Sequence, residues 1–199
     1  MFEGELLKGI KIKGKTYYPN GKVEFEGEFL YERKWNGKGY DEKGNLLYEL
    51  INGNGKVRVF LLGDLMFEGE YLNLRKNGYG KEYNFYKELI FEGEYFDDFR
   101  KGKGKEYENG KLIFEGEYLN DKRNGYGKEY NSYNNLNFEG EYLNGKRNGY
   151  GKEYNYYKKL IFEGNYLNGK KNGKGKIYDL DSGLLIFEGE YLNGKKINK

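Results

Sequence analysis

Paired glutamates are the residues of this chain whose type and spacing could most readily do chemistry. They recur in the motif Phe-Glu-Gly-Glu, as at Glu68 and Glu70. Two carboxylates on one face of a strand could act as a general acid and base, or hold a cation. The alternative is a solvated polar face, on which they pair with strand lysines such as Lys81 and Lys105. We favour this second interpretation, because the same pair recurs along the chain.

Neighbouring basic residues recur at the turn position of successive copies. A row of such charges could bind an anionic partner, such as acidic lipid headgroups, an acidic protein tail or nucleic acid. The alternative is a role in solubility and protection against edge aggregation, since Asp97, Asp98 and Asp121 dilute the positive field. The candidate residues for this edge are Arg75, Lys76, Arg100, Lys101, Lys122, Arg123, Lys146, Arg147, Lys170 and Lys171.

Tyrosines at regular spacing form the third candidate site. Rows of aromatic rings could bind a peptide or stack nucleobases, or they could simply pack on one another to build the fold. The candidate partner-binding residues are Tyr71, Tyr95, Tyr118, Tyr142, Tyr166, Tyr126 and Tyr150.

Other chemistries lack the residues they require. The chain contains no His and no Cys, which removes most metal sites and nucleophilic triads. Gly102–Gly104 resembles a phosphate loop only superficially, because no Gly-Lys-Ser/Thr ending is present and no helix is expected to follow. We therefore expect no enzyme activity, no cofactor and no metal. The net charge of +3 also argues against a dedicated nucleic-acid binder.

The elements that must position these residues are copies of one motif. Phe-Glu-Gly occurs eight times, mostly 23 to 25 residues apart, and this is typical of a repeat array. Only 37% of the residues are hydrophobic, yet 19% are aromatic. This composition favours a thin fold that buries a few large rings per repeat. We predict one array over residues 1–199, with repeats from near 2, 25, 48 (degenerate), 67, 91, 114, 138 and 162, and a half repeat from 187.

Alternation within each copy predicts β-strands. Leu160, Phe162, Gly164 and Tyr166 fall on one face, a period of two that fits a strand and not a helix. Turn-forming residues fill 144–149, so each repeat reads as one β-hairpin. The glycines leave room for a neighbouring ring to lie against the backbone. The fold expected is an all-β, elongated, single-layer antiparallel sheet of about eight and a half hairpins. In the short third copy we expect a short hairpin, a bulge or a kink.

The motif resembles the MORN (membrane occupation and recognition nexus) repeat. Phe138–Tyr142, Asn144–Lys146 and Gly149–Gly151 match its aromatic-Glu-Gly-Glu-aromatic start, its Asn-Gly turn and its Gly-X-Gly in order and spacing. The second strand, Gly-Lys-Glu-Tyr, is closer to the variant repeats common in bacterial proteins. The resemblance implies a single-layered sheet of hairpins, and a role as a scaffold at membranes or cytoskeletal structures.

The function expected from sequence is a non-catalytic scaffold that binds a protein through its concave aromatic face. The alternative is peripheral association with an anionic phospholipid membrane through the row of dibasic turns. We expect a cytoplasmic location, including the periphery of a membrane or cytoskeletal structure, because no signal peptide or membrane-spanning run is evident. We also expect the open strand after Phe187 to pair with a second copy and form a homodimer.

Overall fold

The computed structural model describes residues 1–197, which fold into two compact units. The first unit comprises Met1–Leu89 with Glu94–Phe99, and the second comprises Ile90–Gly93 with the chain from Arg100 onward. The described residues form strands and turns, and they include no helix long and apolar enough to cross a membrane.

Eight strands lie wholly in the first unit, and a ninth contributes residues to both units. They are β1 (Phe2–Leu7), β2 (Ile10–Tyr17), β3 (Val23–Leu30), β4 (Arg33–Tyr40), β5 (Leu46–Leu50), β6 (Gly55–Leu61), β7 (Asp64–Leu72), β8 (Arg75–Tyr83) and β9 (Leu89–Phe96). In the first unit, β1 to β5 form one antiparallel sheet in chain order, and β6, β7 and β8 pair in the same way.

Nine further strands belong to the second unit, where each pairs antiparallel with the next along the chain. They are β10 (Phe99–Glu108), β11 (Lys111–Leu119), β12 (Lys122–Tyr130), β13 (Leu136–Leu143), β14 (Lys146–Tyr154), β15 (Leu160–Leu167), β16 (Lys170–Tyr178), β17 (Leu185–Leu192) and β18 (Lys195–Lys196). The prediction of an all-β array of antiparallel hairpins is therefore confirmed.

Each hairpin closes through a turn of only two residues. Asn144 and Gly145 join β13 to β14, with φ angles of 52° and 84°. Two successive positive φ angles are typical of the type I′ turn, whose twist matches that of the flanking strands. The predicted turn over 144–149 was therefore too long. Lys146 and Arg147 already belong to the second strand, and this changes what the basic residues can do.

A row of glycines crosses the second unit, with one glycine from each strand directly opposite the next. Gly116 pairs with Gly127, and Gly127 pairs with Gly140. A Cβ built on Gly127 would lie 2.3 Å from Cζ of Phe114. The phenylalanine ring therefore occupies the space that side chains would fill at these positions. This confirms the prediction that the glycines leave room for a ring from a neighbouring strand.

The rings supported by these glycines form the core. Phe91, Phe114, Phe138 and Phe162 are fully buried, and each has a tyrosine from the following repeat packed edge-on against it. Centroid separations of 5.2 to 5.5 Å suit the preferred T-shaped geometry of aromatic pairs. Each buried phenylalanine contributes roughly 1.5–3 kcal/mol from apolar burial.

The third copy departs from this pattern, as the sequence predicted. β5 ends one sheet and β6 begins the next, so the two strands of this hairpin belong to different sheets. Their link is an isolated bridge between Ile51 and Asn54 beside the turn. At the last copy, β17 pairs with the short β18, while residues 198–199 lie outside the described part of the chain. Self-pairing of the last strand stays a prediction.

We predict that Gly127→Ala lowers the free energy of unfolding by about 3 kcal/mol, because the new methyl group overlaps the Phe114 ring. Gly145→Ala is the control, since a Cβ there meets no atom within 4 Å and is opposed only by the positive φ. Its expected cost is about 1 kcal/mol. Urea denaturation followed by circular dichroism measures both. Equal losses would show that the row tolerates side chains.

Candidate functional site

Five of the seven tyrosines predicted to bind a partner lie within the core. Tyr95, Tyr118, Tyr142 and Tyr166 are each only 4% exposed, and Tyr71 is half-buried. We call the side of the second unit that carries the phenylalanine rings its ring face. The prediction that these tyrosines offer a binding surface was wrong, because neighbouring rings cover them.

The other two predicted tyrosines lie on the opposite side of the strands. Tyr126 and Tyr150 are 48% and 44% exposed. Their hydroxyl groups donate hydrogen bonds to Glu139 (3.0 Å) and Glu163 (2.7 Å). Burial and the Glu163 hydrogen bond raise the pKa of Tyr150 to about 12, so this hydroxyl stays protonated near neutral pH. Both rings are available to a partner.

Exposed leucines lie on the same side as these two tyrosines. They close the first strand of four successive hairpins, and between 44% and 56% of each is exposed. Strands alternate their side chains, so a leucine that follows a buried ring-face tyrosine points away from that face. We call this surface the leucine–tyrosine face, and it consists of Leu119, Leu143, Leu167, Leu192, Tyr126 and Tyr150.

The basic pairs divide between two environments, so they do not form one cationic edge. One member lies at the strand start and is exposed, as Arg75, Lys122, Lys146 and Lys170 are. The other lies over a phenylalanine ring. Its charged group is 3.9 to 4.5 Å from the ring centroid at Lys76, Arg100, Arg123, Arg147 and Lys171. Lys101 follows Arg100 and is exposed.

The stacked basic residues also alternate with glutamates from the second strands. Arg123 bonds Glu106 at 2.5 Å and lies 3.6 Å from Glu129. Arg147 in turn bridges Glu129 and Glu153. Lys171 then contacts Glu153 at 2.8 Å. We call Glu106, Arg123, Glu129, Arg147, Glu153 and Lys171 the charge ladder. Sequence reasoning missed it, although its glutamates alternate in register with the glycines below the rings.

Buried tyrosines complete the coordination of these carboxylates. Tyr142 donates a hydrogen bond of 2.7 Å to Glu129. Burial opposes ionisation of Glu129, but hydrogen bonds from Arg147 and Tyr142 outweigh it and lower the pKa of this carboxyl. Burial and the Glu129 hydrogen bond raise the pKa of Tyr142 well above its ordinary value. The ladder is therefore fixed in its charged form near neutral pH, and neither group is suited to transferring a proton there.

The ladder stops at the repeat that begins at Phe162. Its second strand carries Ile177 where the preceding repeats carry Glu129 and Glu153. Tyr191 packs on Phe162 as its counterparts do, at 5.5 Å, but its buried hydroxyl has no hydrogen-bond partner. One substitution thus removes the carboxylate that a tyrosine hydroxyl would otherwise reach.

The paired glutamates of the Phe-Glu-Gly-Glu motif face strand lysines. Glu68 lies opposite Lys81, and Glu115 lies opposite Lys105. Residues 1–197 contain no group of acidic, histidine or cysteine side chains arranged to hold a metal ion. The interpretation of these pairs as a polar, cross-paired face is the one that the strand register supports.

Comparison with known proteins identifies the repeat. The MORN repeat family model matches residues 91–111, 114–133, 138–155 and 162–180. No curated protein matches the chain. Among solved structures, one match is a crystal structure of a TarM mutant from S. aureus in complex with Fondaparinux, alpha-GlcNAc-glycerol and UDP. That match has 13% identity and a TM-score of 0.25, covers 57% of this chain and 19% of that one, and is too slight to indicate a shared fold.

We predict that stability falls as the pH drops below about 4.3, the ordinary pKa of glutamate. Because the folded pKa values of Glu106 and Glu129 are lowered, their stabilisation is present above that pH and is lost as the pH falls through the folded values. Glu129→Gln should cost about 2 kcal/mol at pH 7 and should flatten the pH dependence. Urea midpoints between pH 7 and pH 3 measure this, with exposed Glu108→Gln as the control. Identical pH profiles for wild type and Glu129→Gln would contradict it.

Proposed function

Since this chain is a MORN-repeat protein, with four consecutive matched repeats, we propose that it is a non-catalytic scaffold that binds a protein partner. Repeats of this family are generally scaffolds for protein or membrane interactions. The observation that carries the proposal is the leucine–tyrosine face, where leucines about half exposed recur in consecutive hairpins. The ring face offers no comparable surface, because basic side chains and glutamates of the charge ladder lie over its rings.

The composition of the leucine–tyrosine face suits protein binding. Single exposed leucines are common on soluble proteins, but contiguous apolar patches with a polar rim are typical of interaction sites. Tyrosine is enriched at such sites because it buries a large ring and keeps a polar tip. Here Glu139 and Lys128 lie directly opposite each other beside the tyrosines and provide the polar component.

The spacing of the leucines indicates the shape of partner that fits. Successive leucines are two strands apart, which is about 9.6 Å at ordinary strand separation. A helix rises about 10.5 Å over seven residues, so apolar residues at every seventh position nearly match this interval. We therefore propose an amphipathic helix, lying across the strands, as the partner element.

We predict that the double variant Leu143→Glu, Leu167→Glu loses its protein partner while keeping its fold, because both side chains are about half exposed. Affinity capture with wild-type protein identifies the partner, and titration calorimetry with the purified partner measures the complex. We expect binding to weaken about tenfold or more. Leu62→Glu is the control, since that leucine is 93% exposed and lies in the first unit. Equal affinity of all three proteins would exclude this face.

A second candidate function is peripheral binding to an anionic membrane. The specific observation is that Leu143 lies opposite Lys146 and Leu167 opposite Lys170, so an exposed leucine and an exposed lysine meet at each hairpin end. Near an anionic leaflet each lysine would contribute about 1 kcal/mol. The ring-stacked arginines are excluded from this surface, because the charge ladder holds them.

For this second candidate we predict that Lys122→Glu, Lys146→Glu abolishes sedimentation with phosphatidylserine vesicles, because charge reversal turns attraction into repulsion. The same variant should retain a protein partner held by leucines. Vesicles of neutral phosphatidylcholine provide the lipid control. If wild type fails to sediment with anionic vesicles, or the variant sediments equally well, membrane association is excluded.

A further inference from the structure

We infer that the free edge of β6, in the first unit, binds an extended peptide in which apolar, acidic and small residues follow one another. This site is separate from the leucine–tyrosine face and uses a different mode of recognition, the addition of a strand to an open sheet edge.

The edge is free because the third hairpin opens beyond its turn. Ile51 and Asn54 form the bridge that links its two strands. In the other hairpins of the first unit, the two strands pair along their length. On its other side β6 is fully paired with β7, from Gly55 to Leu61. The described residues of β6 therefore have one satisfied edge and one open edge.

Two side chains in the glycine row explain the opening. Leu50 lies opposite Gly37, and Val57 lies opposite Gly69, so both occupy positions that are glycine in the regular repeats. A Cβ built on Gly69 would already lie 2.6 Å from Cα of Gly80. Two full side chains cannot face each other at that separation, so β5 and β6 diverge. Leu50 and Val57 are instead buried, at 4% and 5% exposure.

On the side of Leu50 and Val57, the opening leaves an apolar groove of about 400 Å³. Tyr48 and Tyr71 line it beside Leu50, Val57 and Val59. The third copy is shorter than the others and has no residue equivalent to Arg123 over its ring. Val59 also stands where the regular repeats carry glutamate, opposite a phenylalanine. Basic residue and carboxylate are thus both absent, so an uncharged aromatic or aliphatic side chain fits the space.

On the other side of the strands, β6 presents positive charge to the open edge. A second groove of about 450 Å³ contains Lys56 and Arg58. In a regular repeat, Lys128 has Glu115 opposite it on one side and Glu139 on the other. Arg58 has Glu68 on the β7 side, at 3.2 Å, and the equivalent position on the open side is empty. An acidic residue on an added strand would complete this pattern.

These two grooves specify the side chains of the incoming strand. In the register that β7 already shows, glycine lies opposite Val57, glutamate opposite Arg58 and phenylalanine opposite Val59. A mirror-related strand on the open edge would therefore place a small residue, an acid and an aromatic at the same three positions. Its backbone would satisfy the free hydrogen-bonding groups of β6.

The test uses the full-length protein and a fluorescein-labelled peptide with the sequence of Leu136–Leu143, which has this pattern. Fluorescence anisotropy should show saturable binding to wild type. Arg58→Glu should bind about tenfold more weakly, and a peptide with both glutamates changed to lysine should bind Arg58→Glu better than wild type. Arg58→Gln, a milder variant, should be intermediate.

Lys152→Glu is the matched control, because that lysine has a glutamate opposite it on both sides and no open edge. It should bind the original peptide as wild type does, with circular dichroism confirming that each variant is folded. Absence of saturable binding to wild type overturns the inference. So does equal affinity of wild type and Arg58→Glu for the original peptide, which would place the binding elsewhere. The leucine variants of the proposed protein interface should bind this peptide normally, so the two proposals fail independently.

Discussion

The contact between a phenylalanine ring and a row of glycines is the constraint on which this structure depends. A chain with so few aliphatic residues cannot build a thick interior, so it buries one large ring per repeat directly on the backbone. Phe114 lies where side chains of Gly116 and Gly127 would otherwise be. Burial of about 1.5–3 kcal/mol for each ring, together with edge-on contacts to tyrosine, then accounts for the core.

Covering the rings determines which surfaces remain for partners. A ring that lies on glycine is open on its far side, and Arg123 or Arg147 closes that side at 4.1 or 3.9 Å. The guanidinium groups in turn recruit Glu106 and Glu129, which hold them in place. The residues that a sequence reader would assign to binding are thereby used for cohesion. Recognition is left to the opposite face and to the open edge of β6.

The sequence predicts the strands, the hairpins and the role of glycine, because these follow from a period of two and from local turn preferences. It does not reveal whether a face is covered. Alternation places Tyr142 and Phe138 on one side of β13, but only the following repeat and Arg147 bury them. The turn length was misjudged for a similar reason. A residue such as Asn148 suits a turn by type, yet it lies inside β14.

The charge ladder has a consequence for how such an array can change its length. In residues 106–171, each repeat adds one arginine or lysine over a ring and one glutamate beside it, so every repeat is electrically neutral within the ladder. Duplicating or deleting one of these repeats as a whole leaves the alternation intact. The copy with Ile177 is different, because copying it would insert a cation with no carboxylate beside it. Gene duplication is therefore electrostatically tolerated inside the array and penalised at that copy.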